Sequence, residues 1–423
     1  MRCRFLFRVF LGIIVFLILI ACVKEAKDTK KSNKSVLKVS SMFSGGDEEY
    51  FKRMVKQYDE DHPGVKIDLS MKDDFENYYP DIIGRIANKE GPDVAVIHMG
   101  RLNEFLRRNL LTPIPTGKDG IDPELFPQNL LGRCQKDSKL YLVPLDVFSL
   151  VVYYNTEILK QAGITEYPKK ASDFISFNKK IRNNTDAVPL AIDTVPKKYQ
   201  AYTLARFFLS ALYQQDAQIF LNRNNKFRFN SKEGKTAYKY LKDIVHDKQF
   251  TKPGMGYEES VNVFRSGKAA AHINGTWVYG LFNETEGLTF VQKPFPPLFG
   301  KKAAWSGSHG FAIPNHTKMN DKTKKEAVRF INWMTSHSEL WAKSGQIPAC
   351  LPVFEKEQYR TMKNTKIQHA ILQQAVTNPK VAGWQKVFDN IADILAGGIA
   401  QNLSAEDVLP QLEEATNMVL PLR

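Results

Sequence analysis

From Val36 onward the apolar and polar positions switch between two periods. The stretch "VLKVSSMF" (Val36–Phe43) predicts a strand, and the loop Ser44-Gly45-Gly46 follows it. Asp47, Glu48 and Glu49 then open a helix, where acids in the first turn suit the helix dipole. Phe51, Met54, Val55 and Tyr58 recur at the spacing of one helical face. His62-Pro63-Gly64 ends that helix, "VKIDLSM" predicts a second strand, and Tyr78–Ala87 a second helix. Asp93–His98 is almost continuously apolar, the pattern of a strand covered by helices on both faces. Strand and helix alternating in this way predict an α/β fold with a doubly wound sheet.

The same rhythm continues with one irregularity. "LYLVPLDVFSLVVYYN" (Leu140–Asn155) is long for a single central strand, and Pro144 interrupts it. A segment passing between two lobes has this character. "AVPLAI" predicts a short strand, with helices around Tyr199–Tyr213 and Gly234–Asp247. "SGKAAAHINGTW" (Ser266–Trp277) runs into Asn274-Gly275, a turn signal, with a tryptophan directly after it. "LTFVQKPFP" and "SHGFAIP" follow, and the remainder is mainly helical: Lys324–Ser336, a helix after Gly383, and Glu406–Leu420.

The first residues follow a different logic. Arg2, Arg4 and Arg8 precede an apolar run, Val9–Ile20, that is short for a membrane span. Leu19-Ile20-Ala21-Cys22 looks like a bacterial lipobox. The expectation is a signal peptide over 1–21, a lipid on Cys22, and a polar tether over 22–35. The protein would then sit on the cell membrane, facing the periplasm or the exterior. An uncleaved anchor or an ordinary signal peptide is the alternative.

The chain's 423 residues suggest two or three domains, and 43% hydrophobic content is ample for sizeable cores. The formal charge of +14 comes from lysines scattered in pairs such as Lys169-Lys170 and Lys324-Lys325. That is a solvated basic surface rather than a nucleic-acid footprint, so no nucleic-acid partner is expected. Of four cysteines, Cys3 falls in the leader and Cys22 is the lipid site. Cys134 and Cys350 remain, as a disulfide or as two buried thiols. No P-loop, dinucleotide fingerprint, H-E-x-x-H or nucleophile elbow occurs, and the histidines lack metal-ligand spacing. A non-enzyme without cofactor or metal is therefore expected. A surface-anchored glycan-cleaving enzyme is the alternative, since it too would use tryptophans and a carboxylate pair.

Several segments stand in a telling order: "GPDVAVIHMGRLNEFLRRNLLTPI", "YLVPLDVFSLVVYYNTEILKQAGI", "FRSGKAAAHINGTW", "HGFAIP" and "AVRFINWMTS…GQIPA". Behind a lipobox, this series resembles the extracellular solute-binding proteins of ABC importers, and in particular the sugar-binding branch similar to maltose-binding protein. The resemblance runs from Val36 to the C-terminus. It implies two discontinuous α/β lobes, 36–145 with about 294–346, and 146–293 with about 347–423. Chain crossings are then expected near Val143–Phe148, Val291–Pro296 and Gly345–Ala349, with ligand in a cleft that closes by a hinge. The implied partners are a small-molecule solute, most naturally a carbohydrate, and the permease subunits of the importer. The receptor is expected to be monomeric. A ligand-binding co-receptor without transport is a further reading.

A sugar offers apolar C–H faces and a rim of hydroxyls, so its site calls for flat aromatic rings and polar groups. Trp277 fits the first need and the resemblance favours it as a stacking ring over a packing role. Trp305, Ser306 and His309 lie in "WSGSHG", expected as a polar loop, with His309 equally open to a structural role. Trp384 resembles the aromatic that the last part of such receptors supplies. Asp146 sits in the proline-interrupted crossing, as ligand contact or as hinge hydrogen-bonding group. Ser44, Gly46 and Asp47 form the first strand-to-helix loop, whose N–H groups can meet ligand oxygens. His98 and Arg101 follow the buried strand, although Arg101 could equally cap its own helix. Either Tyr199 or Tyr202 is expected as a further contact. Trp333 and Trp341 read as core. A neutral sugar is favoured, and an anionic one such as a sugar phosphate is the alternative.

Overall fold

The computed structural model describes residues 35–72, 75–195, 202–316 and 319–420. The leader, Cys22, most of the tether and Tyr199 lie outside them. Strand β1 (Ser35–Ser41) leads into helix α1 (Gly46–Asp61), β2 (Val65–Met71), α2 (Phe75–Ala87) and β3 (Val94–His98). In β1, Leu37 and Val39 are buried between exposed Val36 and Lys38, the alternation of a strand with one covered face at its start. β3 has Val94 to Ile97 buried throughout, as its apolar run predicts. β1 lies parallel to both β2 and β3, the strand order expected of successive crossovers through helices.

The long segment resolves at Leu145. Val143–Pro144 belongs to the first sheet, whereas β4 (Asp146–Asn155) is the central strand of a second sheet. Every residue of β4 is buried, because antiparallel neighbours flank it along its length. The second sheet also contains β5 (Val188–Ala191), β6 (Ala269–Gly275), β7 (Phe290–Pro294) and β8 (Ala304–Gly307). Strand β9 (His309–Pro314) returns to the first sheet beside β3, with His309 opposite His98.

Two expectations change here. The resemblance implies a second crossing near Val291–Pro296, with the first lobe resuming at about 294. Instead β7 pairs Val291 and Pro294 with Tyr154 and Val151 of the second sheet, and the chain crosses between Gly307 and His309. The phenylalanine- and proline-rich segment stays with the second lobe because Phe295 and Leu298 pack into its core. "WSGSHG" is correspondingly not a loop, since Trp305 lies inside β8 and His309 begins β9.

The third crossing runs by Ile347–Pro348, which pairs with Val147 and Asp146. Ala349 N–H donates to Leu145 O at 3.1 Å. Beyond it, Cys350, Val353 and Tyr359 still pack in the first core, so the first lobe extends past 346. Three hydrophobic clusters result, two of them large and a smaller third in which Val151, Tyr153, Phe264 and Phe282 cover the other face of the second sheet. Of the large ones, one joins residues from Leu37 to Val147 with Phe311 to Tyr359, and one joins Phe148 to Trp305 with Val381 to Leu420. Cys134 and Cys350 are buried free thiols.

Helix α3 (Thr203–Gln214) backs the second sheet, and α4 (Trp384–Ala400) packs on it. The final helix, Ala405–Met418, is tied to the same lobe by Glu413, which accepts from the N–H groups of Phe229 and Asn230 at 2.9 Å each.

Candidate functional site

Where the two sheets meet, Phe148 at the start of β4 touches rings from both lobes. Its ring centroid lies 4.5 Å from His309 and 5.7 Å from His98 on the first lobe. On the second lobe it lies 5.9 Å from Trp277 and 5.7 Å from Trp305. Trp305 stacks on Phe388 of α4 at 5.7 Å and 13°, and Phe388 stacks on Tyr202 at 5.4 Å and 6°. Trp384 continues the row beside Phe388 at 6.5 Å. It also approaches the first lobe, lying 3.6 Å from where a Cβ on Gly100 would sit. The strand ends and helix starts of the two lobes thus bring Trp277, Trp305, Tyr202 and Trp384 into one aromatic cluster.

Trp277 owes its place to a glycine rather than to a turn. Asn274 and Gly275 are the last residues of β6, opposite Val151 and Leu150 of β4. The expected turn does not form there because this ladder continues through both residues. The Asn274 carboxamide accepts from the Gly275 N–H at 2.8 Å and donates toward His272 at 3.0 Å. The chain then enters the short 3₁₀ turn Thr276–Val278. The indole folds back so that a Cβ on Gly275 would come within 1.8 Å of it. The indole N–H donates to Tyr257 Oη at 2.9 Å.

Arg206 of α3 stands over these rings. Its guanidinium carbon is 4.6 Å from the Trp277 centroid, 5.0 Å from Trp305, 5.6 Å from Tyr202 and 5.9 Å from Phe388. Sequence reasoning did not single out Arg206, Phe148 or Phe388. No motif marks them, and the segment leading into α3 gives only a helical period.

The polar candidates divide by what already holds them. Asp146 is fully buried and accepts from His309 N–H at 2.8 Å, His309 Nδ1 at 2.8 Å and Trp341 Nε1 at 2.7 Å. These bonds tie the start of β4 to β9 and to Trp341. With Nδ1 of His309 bound to this carboxylate, Nε2 is the free nitrogen of that ring. Ser306 is likewise internal, its hydroxyl donating to Ser149 Oγ at 2.8 Å. His98 Nδ1 lies 2.7 Å from Tyr79 Oη, and its ring 4.7 Å from His309. Burial, with help from the charges of His309, Arg101 and Arg206, holds the His98 imidazole well below its usual range, so it stays neutral. Arg101 bonds Glu104 at 2.9 Å and stacks on Tyr79 at 4.3 Å, a local role beside the cluster. Tyr202 donates to Asp389 at 3.3 Å.

At the other rim, Asp47 is buried in the first turn of α1. Gln346 donates to Asp47 Oδ2 at 2.8 Å and accepts from Thr276 Oγ1 at 2.9 Å, linking the two lobes through the hinge. Asp47 Oδ1 is buried with no hydrogen-bond partner among the described residues. Burial pushes this carboxyl up to about 7, against the opposing effects of Gln346 and His309. Ser44 is exposed beside it, and Gly46 lies against Leu281 of the second lobe. Among the described residues no group of histidines, cysteines and carboxylates is arranged to hold a metal ion.

Two α/β lobes meeting over an aromatic cleft define a hinged binding protein. The profile of the bacterial extracellular solute-binding protein family matches residues 44–339, and the chain belongs to that family. It is 25% identical over 373 residues to an arabinooligosaccharide-binding protein of Bacillus subtilis, covering 83% of this chain and 81% of that one. It is 22% identical over 419 residues to a maltooligosaccharide ABC transporter solute-binding lipoprotein of Streptococcus pneumoniae, covering 94% of each. Its fold matches the GacH receptor of Streptomyces glaucescens, solved unliganded and with acarbose, at a TM-score of 0.81 and 18% identity, over 92% of this chain and 98% of that one. The chain is thus a solute-binding protein of the ABC-importer type.

Proposed function

We propose that this protein is the saccharide receptor of an ABC importer, anchored to the outer face of the membrane by lipid on Cys22. The observation that carries the saccharide reading is the interlobe cluster of Trp277, Trp305, Tyr202, Phe148 and Phe388. Flat rings gathered at a cleft suit the C–H faces of a sugar, and the nearby hydrogen-bonding groups suit its hydroxyls. The arabino- and maltooligosaccharide-binding relatives support the same class. The ligand closes the lobes and is handed to permease subunits in the membrane. Trp277 is the leading contact, with Trp305, Trp384 and Tyr202 beside it. His309 through Nε2, His98, and Asp47 with Ser44 and Gly46 form the first lobe's contribution.

The test is a thermal-shift and calorimetric screen of the full chain against mono- and oligosaccharides. A ligand at 100 times its Kd stabilises by about 2.7 kcal/mol, a readily measured rise in melting temperature. Trp277→Ala is expected to weaken the best binder by about tenfold or more. A panel in which no saccharide shifts the melting temperature rejects the saccharide reading. For the anchor, labelling cells with a fatty acid is expected to tag the unaltered protein and not Cys22→Ala, and absence of label from the unaltered protein rejects lipidation at Cys22.

A further inference from the structure

Among the described residues Arg206 is the one cation placed inside the ring cluster, and the only acid whose charge acts on it there is Asp193, with which it forms no ion pair. Among the described residues its guanidinium has no hydrogen-bond acceptor and no ion-pair partner, and its buried Nε is unsatisfied. Four rings surround it at 4.6–5.9 Å. Cation–π attraction stabilises the charge there, but it satisfies none of the five N–H donors. Asp193 accepts from Thr203 N–H through Oδ2 at 3.0 Å and makes no hydrogen bond to Arg206; burial raises its carboxyl above the ordinary range, against the lowering effects of Thr203 and of the Arg206 charge. Asp146 is occupied by His309 and Trp341. Its head lies over Trp277 and Trp305, the two rings that meet Phe148 where the lobes join, so it stands at the cleft. A charged fork held by packing, facing the cleft with its donors unspent, is an oxyanion receptor: planar guanidinium matches carboxylate and phosphate in bidentate fashion.

We propose that Arg206 receives an oxyanion carried by the sugar, so that the cleft selects an acidic saccharide, a uronic acid or a sugar phosphate, over its neutral counterpart. This rests on the saccharide reading and narrows it. The rings set the sugar's apolar faces around the fork, and the carboxylate or phosphate replaces the water that the guanidinium would otherwise hold. Such a bond, made between charges in a partly dry site, discriminates strongly against a ligand that leaves the arginine unpaired.

The experiment is isothermal titration of the full chain with matched probes: galacturonate di- and trisaccharides, glucose 1-phosphate and glucose 6-phosphate, and neutral maltotriose and galactose disaccharides. The expected result is that an acidic probe binds at least tenfold more tightly than its neutral counterpart and weakens as salt rises. Which acidic arm responds separates carboxylate from phosphate. Arg206→Gln is expected to reduce that affinity about tenfold to a hundredfold, with Arg206→Lys between the two. Equal binding of acidic and neutral probes by the unaltered protein overturns the proposal and leaves the saccharide reading standing. So does full affinity in a folded Arg206→Gln variant. Absence of binding by every probe overturns both. The unaltered protein decides the question even if the variants fold poorly.

Discussion

At the residue scale, the informative groups are buried polar ones whose partners cross the hinge. Asp47 is the sharpest case. Unfolded, its carboxyl titrates near 3.8, and folded it is pushed up to about 7 by burial. Between those values the folded chain holds a proton that the unfolded chain has lost. The stability from this group is therefore complete below about pH 4 and is lost as pH rises through about 7. The groups facing it are Gln346, Ser344, His309 and Asp146, so Asp47→Asn, which keeps the hydrogen-bonding shape, is the proper reference. In urea denaturation, the stability of the unaltered protein relative to Asp47→Asn is expected to fall by about 2–3 kcal/mol between pH 5 and pH 8. A pH-independent difference between the two would show that Asp47 does not titrate in this range. Sequence marked Asp47 only as one acid of a helix start. Its raised pKa was not legible, because burial under the second lobe comes from residues hundreds of positions away.

At the element scale, period and punctuation made the alternating strands and helices of the first lobe readable, and β3 follows its apolar run closely. What misled was the short-range signal at Asn274-Gly275 and in "WSGSHG". Both look like turns locally, yet β4 extends far enough to pair with each, at Val151 with Leu150 and at Ser149 with Phe148. Pairing with a distant central strand outweighs local turn preference, and nothing in a local window reports it. The glycine's reason is instead the indole that lies over it. In Gly275→Ala the new methyl would fall within 1.8–2.1 Å of the Trp277 ring, so the ring must move. The expected outcome is a loss of about 1–3 kcal/mol in stability, together with a saccharide affinity reduced as far as in Trp277→Ala. A Gly275→Ala protein with unaltered affinity would separate Trp277 from the binding site. Gly345, at φ +106°, sits against Thr276 O and Tyr279 in the same way and marks the hinge as a place of close backbone approach.

At the scale of the whole molecule, the two lobes are held together at opposite rims by contacts of different worth. On one rim Arg53 meets Glu284 at 3.4 Å with both side chains well exposed, a pair worth little in water. On the other, Arg133 donates to the carbonyl of Asn378, and Lys380 donates to the carbonyls of Gly132 and Gln135 at 3.2 and 3.1 Å. These bonds join the first lobe to the segment after Ala375–Thr377 of the second sheet, so they exist only while the lobes are together. They favour the closed arrangement without touching the aromatic cluster. Removing them shifts the hinge equilibrium toward open forms, and apparent affinity falls in proportion to the closed fraction lost. Arg133→Ala with Lys380→Ala removes about 1–2 kcal/mol of interlobe bonding, which corresponds to a Kd about five- to thirtyfold weaker. Because the complex is held by closure, the change is expected mainly in a faster dissociation rate, read by stopped-flow tryptophan fluorescence. Glu284→Gln at the opposite rim is expected to leave Kd within about twofold. Equal dissociation rates in the unaltered and doubly substituted proteins would mean that this rim takes no part in holding the ligand, and that closure rests on the interlobe contacts at Phe148 and on the network of Asp47, Gln346 and Thr276.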